Sequence, residues 1–343
     1  MYYDWQFADV IAADFALLFF LGVVVVPCLA GIAVGSETFS DALFAKTVFA
    51  IGLLVVLGCL ASYILGLGFN PWAKMHGTTT RLGFEALNPI SVGTAAGVVI
   101  ICGSYLLVEL RQGKAAKLAV CVGLGLACLL MLTANSRGPV IACALALALF
   151  FLARIKRAAY IIPLLLILPF FVSTEDVLIA NLLERFEGVS EIDVSIAGRL
   201  LAQKRAIDAF IENPLLGAHY VNPQLGPGLH PHNIVIESAM ALGIFGLLLL
   251  FAMLIRAAMN VLSGFNSAHP LLVMLLVQQT VLANTSGALW ASDAFFLLLG
   301  IVLGAVPAKR RRPQPSTRRH HDRSFIGADV SATADLNTRR VGL

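Results

Sequence analysis

The sequence predicts an all-α protein, a polytopic bundle of transmembrane helices, and three observations support this. Of 343 residues, 59% are hydrophobic and 13% charged, and the mean hydropathy is +0.86, far from the composition of a soluble globular domain. Several apolar runs reach the about 20 residues that a helix needs to cross roughly 30 Å of hydrocarbon. Most of these runs are separated by short polar breaks, and helices satisfy their own backbone hydrogen bonds in lipid.

The apolar runs predict about nine spans. They cover residues 10–34, 43–67, 89–110, 118–134, 139–153, 158–173, 233–255, 270–288 and 291–306. The first is too long for the apolar segment of a signal peptide and has no basic residue before it, so we expect it to be retained. The chain thus divides into a six-span region (1–173), a long loop (174–232), a three-span region (233–306) and a tail (307–343). A loop of that length is a functional candidate in a compact bundle.

Basic residues predict the orientation. They cluster in alternate connections and at the start of the tail: Arg111, Lys114 and Lys117; Arg154, Lys156 and Arg157; Arg256; and Lys309 to Arg312. Because cytoplasmic loops carry the excess of Lys and Arg, we expect a cytoplasmic C-terminus. The long loop, 174–232, then lies on the opposite side, which in a bacterium is the periplasmic face of the inner membrane.

The tail is the basic part of the chain. From Lys309 onward it carries nine Lys/Arg against three Asp and few large apolar residues. This composition predicts a disordered segment near anionic lipid headgroups, which we favour over nucleic-acid binding.

No sequence motif indicates a metal or a cofactor. The six cysteines lie within apolar runs without metal-ligand spacing, so we interpret them as small buried packing residues. The chain has no Walker loop, dinucleotide fingerprint, Asp-x-Asp pair or His-Glu-x-x-His. Nucleotide-sugar chemistry and metalloproteolysis therefore have no support.

The long loop contains a predicted amphipathic helix beginning near Arg199. Its apolar face carries Leu200, Ile207 and Ile211 at helical spacing. Asn213-Pro214 ends the helix, and the Gly- and Pro-rich stretch before residue 230 predicts a lid.

Three cations lie on this helix. Lys204 and Arg205 fit a solvated face or attraction to anionic lipid. Arg199 follows Gly198 at the helix start and is the stronger candidate for binding an anionic, membrane-bound ligand.

His232 is the candidate base. The run His230-Pro231-His232-Asn233 lies at the entry to the seventh span, and imidazole titrates near neutrality, so it can take a proton from a sugar hydroxyl. The alternative is a polar interfacial cap in which Asn233 starts the helix. Pro231 fixes the turn and indicates His232 as the histidine that the helix holds.

Three charged residues in apolar surroundings need an explanation. Arg137 is the only charge between residues 118 and 153. It is either a snorkelling arginine or a functional one, and its guanidinium suits a phosphate. Glu237 lies one turn beyond Asn233 and could orient His232, while Asp293 could accept a structural hydrogen bond near Trp290.

These residues resemble those of the O-antigen ligase and polymerase superfamily. Its signature is His, then Asn, Ser or Gln, nine residues, Gly, two residues and a small residue, which reads here as His232-Asn233, Gly243 and Gly246. The similarity covers about residues 81–255. Two further family features also occur, in order: Ser136-Arg137-Gly138, and Gly198-Arg199 running into Asn213-Pro214-Leu215-Leu216-Gly217.

The resemblance implies a metal-independent, inverting transfer of a glycan from undecaprenyl pyrophosphate to an acceptor hydroxyl in surface polysaccharide biosynthesis. Arg137 and Arg199 would bind the pyrophosphate and His232 would deprotonate the acceptor. Asn233, Glu237 and Arg205 are possible supporting residues.

The resemblance leaves polymerisation of repeat units and ligation to a lipid acceptor equally open. The implied partners are the lipid-linked glycan, a glycan or lipid acceptor, membrane lipid and polysaccharide assembly proteins. An alternative is a transporter or flippase for an anionic lipid-linked substrate, because intramembrane charges also line pathways, although no internal repeat supports it. A third is a non-catalytic scaffold.

Overall fold

The computed structural model describes residues 20–36, 40–67, 88–109, 113–134, 136–152, 194–218, 230–265 and 268–305. These residues are helical apart from turns and short connections and contain no strand, which confirms the all-α prediction. All of them belong to one compact unit, Met1–Ala308. The predicted basic tail lies outside the described residues.

The described part of the chain forms nine helices, two of them extended by a π-helical turn. They are α1 (a π-helical turn Leu21–Val25 continued by Val26–Ser36), α2 (Asp41–Ile64), α3 (Pro89–Glu109), α4 (Lys114–Ala134), α5 (Arg137–Leu152), α6 (Val194–Glu212), α7 (Ile234–Asn260, with a π-helical turn Val261–Phe265), α8 (Pro270–Thr285) and α9 (Asp293–Gly304). A 3₁₀ turn, Leu289–Ala291, precedes α9.

Seven of the nine predicted spans coincide with α2–α5 and α7–α9 to within a few residues. The first coincides with α1 over its described part, and the sixth, 158–173, lies outside the described residues. By length and composition four helices can cross a membrane: Asp41–Ile64, Pro89–Glu109, Lys114–Ala134 and Ile234–Ser263. Helices α1, α5, α8 and α9 are apolar but shorter. The four long helices therefore support a membrane protein, whereas the count of nine spans stays a prediction.

Helix α8 is the central helix of the bundle. All but one of its residues from Leu271 to Asn284 are buried, and it packs mainly against α5 and α9. At its N-terminal end the His269 Nδ1 lies 2.8 Å from a carboxylate oxygen of Asp41, whose other oxygen accepts a hydrogen bond from Leu271 N at 3.2 Å. The starts of α2 and α8 therefore share one end of the bundle.

Helices α1 and α9 pack through glycines. A Cβ at Gly300 would lie 2.9 Å from the Cys28 carbonyl carbon, and one at Gly31 would lie 2.8 Å from the Ile301 nitrogen. Gly35 and Gly304 repeat this closeness four residues further along each helix. Pairs of small residues at this spacing let membrane helices approach backbone to backbone.

The cysteine prediction is correct for four residues and wrong for two. Cys28, Cys59, Cys102 and Cys143 are buried, whereas Cys121 and Cys128 are exposed on α4. The exposed pair lies among exposed apolar side chains such as Leu129 and Leu132. That surface suits lipid, in which a thiol is tolerated as a small apolar group.

Candidate functional site

Helix α7 begins immediately after a strained histidine. Asn233 is the N-cap, since its Oδ1 accepts hydrogen bonds from Val235 N at 3.0 Å and Ile236 N at 3.1 Å. His232 has a φ of +56°, and no other non-glycine residue of the described chain has a positive φ. Such a conformation persists only where the surroundings hold it, and it often marks a functional position. The cap interpretation of Asn233 is therefore confirmed, and that cap anchors His232.

Helix α7 is broken at Gly243, the glycine of the signature. Gly243 has φ +65° and ψ −156°, a conformation that is essentially restricted to glycine. The gap receives the turn Asn213–Gly217 that follows α6. Ala218 N donates to the Met240 carbonyl, and Ile244 N donates to the Pro214 carbonyl, both at 2.8 Å. The turn thus supplies hydrogen-bond partners for backbone groups of α7 on both sides of the break.

Helix α6 lies against the first two turns of α7. Its end agrees with the prediction, since it stops at Glu212, directly before Asn213-Pro214. Its start does not, because the helix begins at Val194, five residues before Arg199, so Arg199 lies in the second turn. Its inner face carries small residues, with Ala206 and Ala209 packed on Met240. Gln203 Nε2 donates to the Pro231 carbonyl at 3.2 Å. Helix α6 therefore contacts the chain both before His232, at Pro231, and after it, at Met240.

Two predicted site residues meet at the C-terminal end of α8. Arg199 Nη1 donates to the Thr285 carbonyl at 3.2 Å, and His232 Nδ1 lies 3.4 Å from the carbonyl oxygen of the next residue, Ser286. A cation is favourable there because the last carbonyls of a helix carry partial negative charge. Arg199 and His232 are therefore held side by side, from α6 and α7, on one backbone segment.

Arg137 begins α5 beside the same segment. A Cβ on its neighbour Gly138 would lie 3.0 Å from the Ser286 Oγ and 3.5 Å from the Thr285 Oγ1, so the glycine allows the start of α5 to contact the end of α8. The Arg137 side chain is exposed. The structure thus brings all three predicted residues to one end of the bundle, with Arg199 and His232 in direct contact with the shared segment and Arg137 one residue from it.

The surroundings of His232 determine its charge and its tautomer. Burial, and then the nearby His230 and Arg199, lower the pKa of His232 from 6.5 to about 2, against a smaller upward effect of the bond to Ser286. The imidazole is therefore neutral at neutral pH. Because a carbonyl oxygen only accepts, Nδ1 carries the proton and Nε2 keeps its lone pair.

A second histidine packs on His232, and a tryptophan packs on that second histidine. The ring of His230 lies 3.8 Å from that of His232 and 5.8 Å from that of Trp290, centroid to centroid. The buried Glu237 accepts a hydrogen bond from Leu289 N through Oε2. Glu237 therefore holds the turn that carries Trp290, instead of binding His232 as its position in α7 suggested.

The remaining predicted residues lie further from this segment. Asp293 is exposed in the first turn of α9, where a carboxylate favours the helix N-terminus, and its role as a hydrogen-bond acceptor near Trp290 stays a prediction. Arg205 is half-buried on α6, six residues beyond Arg199 and about 120° around the helix from it. The predicted lid, 219–229, lies outside the described residues.

Sequence reasoning missed Thr285 and Ser286, and it placed them inside a predicted span, 270–288. Their contribution is two backbone carbonyl oxygens, which every residue type carries. The sequence signal for this segment was the polar run from Asn284 to Gly287, which separates two apolar stretches.

One family model matches the chain. Residues 122–251 match the model described as O-antigen ligase, a stretch that contains Arg137, Arg199, His232 and Gly243. The resemblance predicted from the sequence is thereby confirmed over these residues. It indicates an O-antigen ligase or polymerase type of function in surface glycan assembly, in a membrane protein. No curated protein matches the chain.

Proposed function

From the O-antigen ligase domain at residues 122–251 we propose that this protein transfers a glycan from undecaprenyl pyrophosphate to an acceptor hydroxyl. The observation that carries the proposal is the pairing of Arg199 and His232 on the adjacent carbonyls of Thr285 and Ser286. A fixed cation beside a neutral imidazole suits a reaction in which an anion leaves as a hydroxyl loses its proton.

In the proposed reaction His232 Nε2 takes the proton of the acceptor hydroxyl. The hydroxyl oxygen attacks the anomeric carbon, the bond from that carbon to the pyrophosphate oxygen breaks, and undecaprenyl pyrophosphate leaves with the electron pair. A single displacement inverts the anomeric carbon. Arg199 and Arg137 stabilise the charge on the leaving group, so no metal ion is assigned.

The low pKa of His232 has a role in this proposal. Because His232 stays neutral in the empty site, it is ready to accept a proton when the donor arrives. The pyrophosphate beside Arg199 would offset the positive charge that disfavours imidazolium, so the basicity of His232 rises only in the complex.

The proposed working face is the end of the bundle that holds residues 136–138, 230–233 and 285–286. The basic connections predict that this end faces the periplasm, where lipid-linked glycans would reach it. Ligation to a lipid acceptor and polymerisation of repeat units both fit this site.

The test is transfer by the purified protein in lipid nanodiscs, supplied with an undecaprenyl pyrophosphate-linked glycan and candidate acceptors. We expect loss of product in His232→Ala, and in Arg199→Ala and Arg137→Ala a loss of about 10²-fold or more, as for other residues that stabilise developing charge. Arg256→Ala is the matched control, since Arg256 is exposed on α7 far along the helix from His232. A ladder of products would indicate a polymerase and a single product a ligase.

Two outcomes would count against the proposal. Full activity of His232→Ala would refute the assigned base. Movement of the lipid-linked glycan across a vesicle membrane without any glycosidic product would favour the transporter alternative.

A further inference from the structure

Helix α6 presents its large apolar side chains outward. Ala206 is fully buried on the inner face, whereas Ile207 and Ile211 are 44% and 66% exposed on the outer face, next to exposed Leu200. The exposed apolar surface continues onto the turn after α6, where Leu216 is 78% exposed. In water such a contiguous apolar surface would be unfavourable.

The acidic residues of α6 lie beside its apolar face. Asp208 and Glu212 are exposed and lie about 80° and 120° around the helix from Leu200, so they form an acidic flank, which also holds the exposed Leu201. Lys204 lies about 40° from Leu200, at the border between the apolar face and the acidic flank, where its alkyl stem can follow apolar surface while its ammonium reaches headgroups. This division is typical of a helix with one side in lipid and another in water.

Helix α6 runs in the same direction as the first part of α7. Gln203 Nε2 donates a hydrogen bond to the Pro231 carbonyl near the start of α7. Further along both segments, Ile244 N donates to the Pro214 carbonyl. The turn docks at Gly243, ten residues beyond the Asn233 cap, which is about 15 Å along a helix. Because α7 is long and apolar enough to cross the membrane, that depth is about half of the roughly 30 Å hydrocarbon layer.

The docked turn meets the requirement for irregular backbone at this depth, which is internal hydrogen bonding. Gly217 N donates to the Asn213 carbonyl at 3.0 Å, and the two bonds to the break in α7 satisfy further groups. Just beyond the break, Phe245 and Leu248 are exposed on α7. The apolar surface of the turn therefore continues into the outer surface of a predicted span.

We propose that α6 and its turn form a re-entrant element of the membrane, and that its outer face contacts lipid acyl chains. This lipid-facing stripe consists of Leu200, Ile207, Ile211, Leu215 and Leu216. The acidic flank of Asp208 and Glu212 faces away from the acyl chains, toward a water-filled side of the bundle, as carboxylates at this depth require, and Arg199 near the shallow end of the helix stays at the site. The contact with lipid holds whatever glycan the protein transfers.

Spin-label accessibility in nanodiscs tests this inference with the full chain. Cys121 and Cys128 are replaced by alanine, and the four buried cysteines are checked for absence of labelling. A nitroxide is then placed at Ile207→Cys or Ile211→Cys, with Asp208→Cys as the neighbouring control and Leu248→Cys as the reference for lipid. Molecular oxygen concentrates in hydrocarbon, whereas a charged nickel chelate stays in water.

We expect the labels at 207 and 211 to match the label at 248, with several-fold higher oxygen-to-nickel accessibility than the label at 208. High nickel accessibility at 207 and 211 would overturn the inference, because the stripe would then face water. Low accessibility to both reagents at these positions would also overturn it, since another part of the chain or a second protein would cover the stripe.

Discussion

Replacing Gly243 with alanine would place a methyl group inside the docked turn. The new Cβ would lie 2.5 Å from the Leu215 carbonyl carbon and 2.7 Å from the Gly217 nitrogen. These are backbone atoms of a turn that α6 and α7 hold in place, so no side-chain rotation relieves the overlap. The variant has two routes, which are to keep the turn docked under strain or to release it.

The magnitudes decide between these routes. Keeping the turn docked costs about 1–3 kcal/mol for a non-glycine residue in this conformation and about 1–3 kcal/mol more for overpacking. Releasing it breaks the two backbone hydrogen bonds at the break, at about 0.5–1.5 kcal/mol each. Release is therefore the less costly route at about 1–3 kcal/mol, which makes undocking roughly 5- to 150-fold more frequent.

Amide hydrogen exchange measures this undocking. We expect exchange of Ala218 and Ile244 to accelerate by that factor in Gly243→Ala, because undocking exposes both amides. Glycan transfer should fall with it, because α6 carries Arg199. The control is Gly125→Ala, since Gly125 lies in helix α4 and a Cβ there meets nothing within 4 Å. If both variants exchanged alike, the turn would not depend on the glycine and the reasoning would be refuted.

Three further perturbations have expected outcomes in thermal unfolding of the purified protein. Glu237→Ala should lower the Tm more than Glu237→Gln, because the amide oxygen of Gln still accepts from Leu289 N, whereas Ala leaves a buried N–H unsatisfied at about 1–3 kcal/mol; equal losses would contradict this role. The depressed pKa of His232 means that, between pH 6.5 and about 2, the unfolded chain binds the extra proton, so acid destabilises the fold in this window. His232→Gln should therefore lose less stability than the wild type on acidification from about pH 7 to about pH 5, and an identical loss would show that burial does not keep His232 neutral. Gly300→Val should lower the Tm because its side chain meets the backbone of Cys28, and an unchanged Tm would show that α1 and α9 do not pack as described.

The helices could be predicted from sequence because apolar runs and their breaks are local signals. The end of α6 at Asn213-Pro214 and the cap at Asn233 are also local, since proline and Asn side chains act within a turn of the chain. Arg199 and His232 could be identified as candidates from their residue types and from the resemblance. The backbone segment that both residues contact, Thr285 and Ser286, could not be identified, because every residue carries a carbonyl group and the sequence does not show which carbonyl is used.

The break at Gly243 was hidden for a different reason. The residues on both sides of it are apolar, so the periodicity of α7 continues through the gap. What stabilises the break is the turn Asn213–Gly217, thirty residues earlier in the chain, and such a contact is tertiary. The outward direction of the apolar face of α6 was equally invisible, because a helical pattern shows which residues share a face but not which face meets the protein.

The pairing of α1 with α9 has a consequence for biosynthesis. Gly300 follows Gly31 by 269 residues, and at about 5–20 residues per second the ribosome needs roughly 10–50 s to make the intervening chain. Throughout that interval the glycine surface of α1 is without its final partner, α9. Because small-residue surfaces let apolar helices approach closely, this surface is open to contact with other helices until α9 has been made.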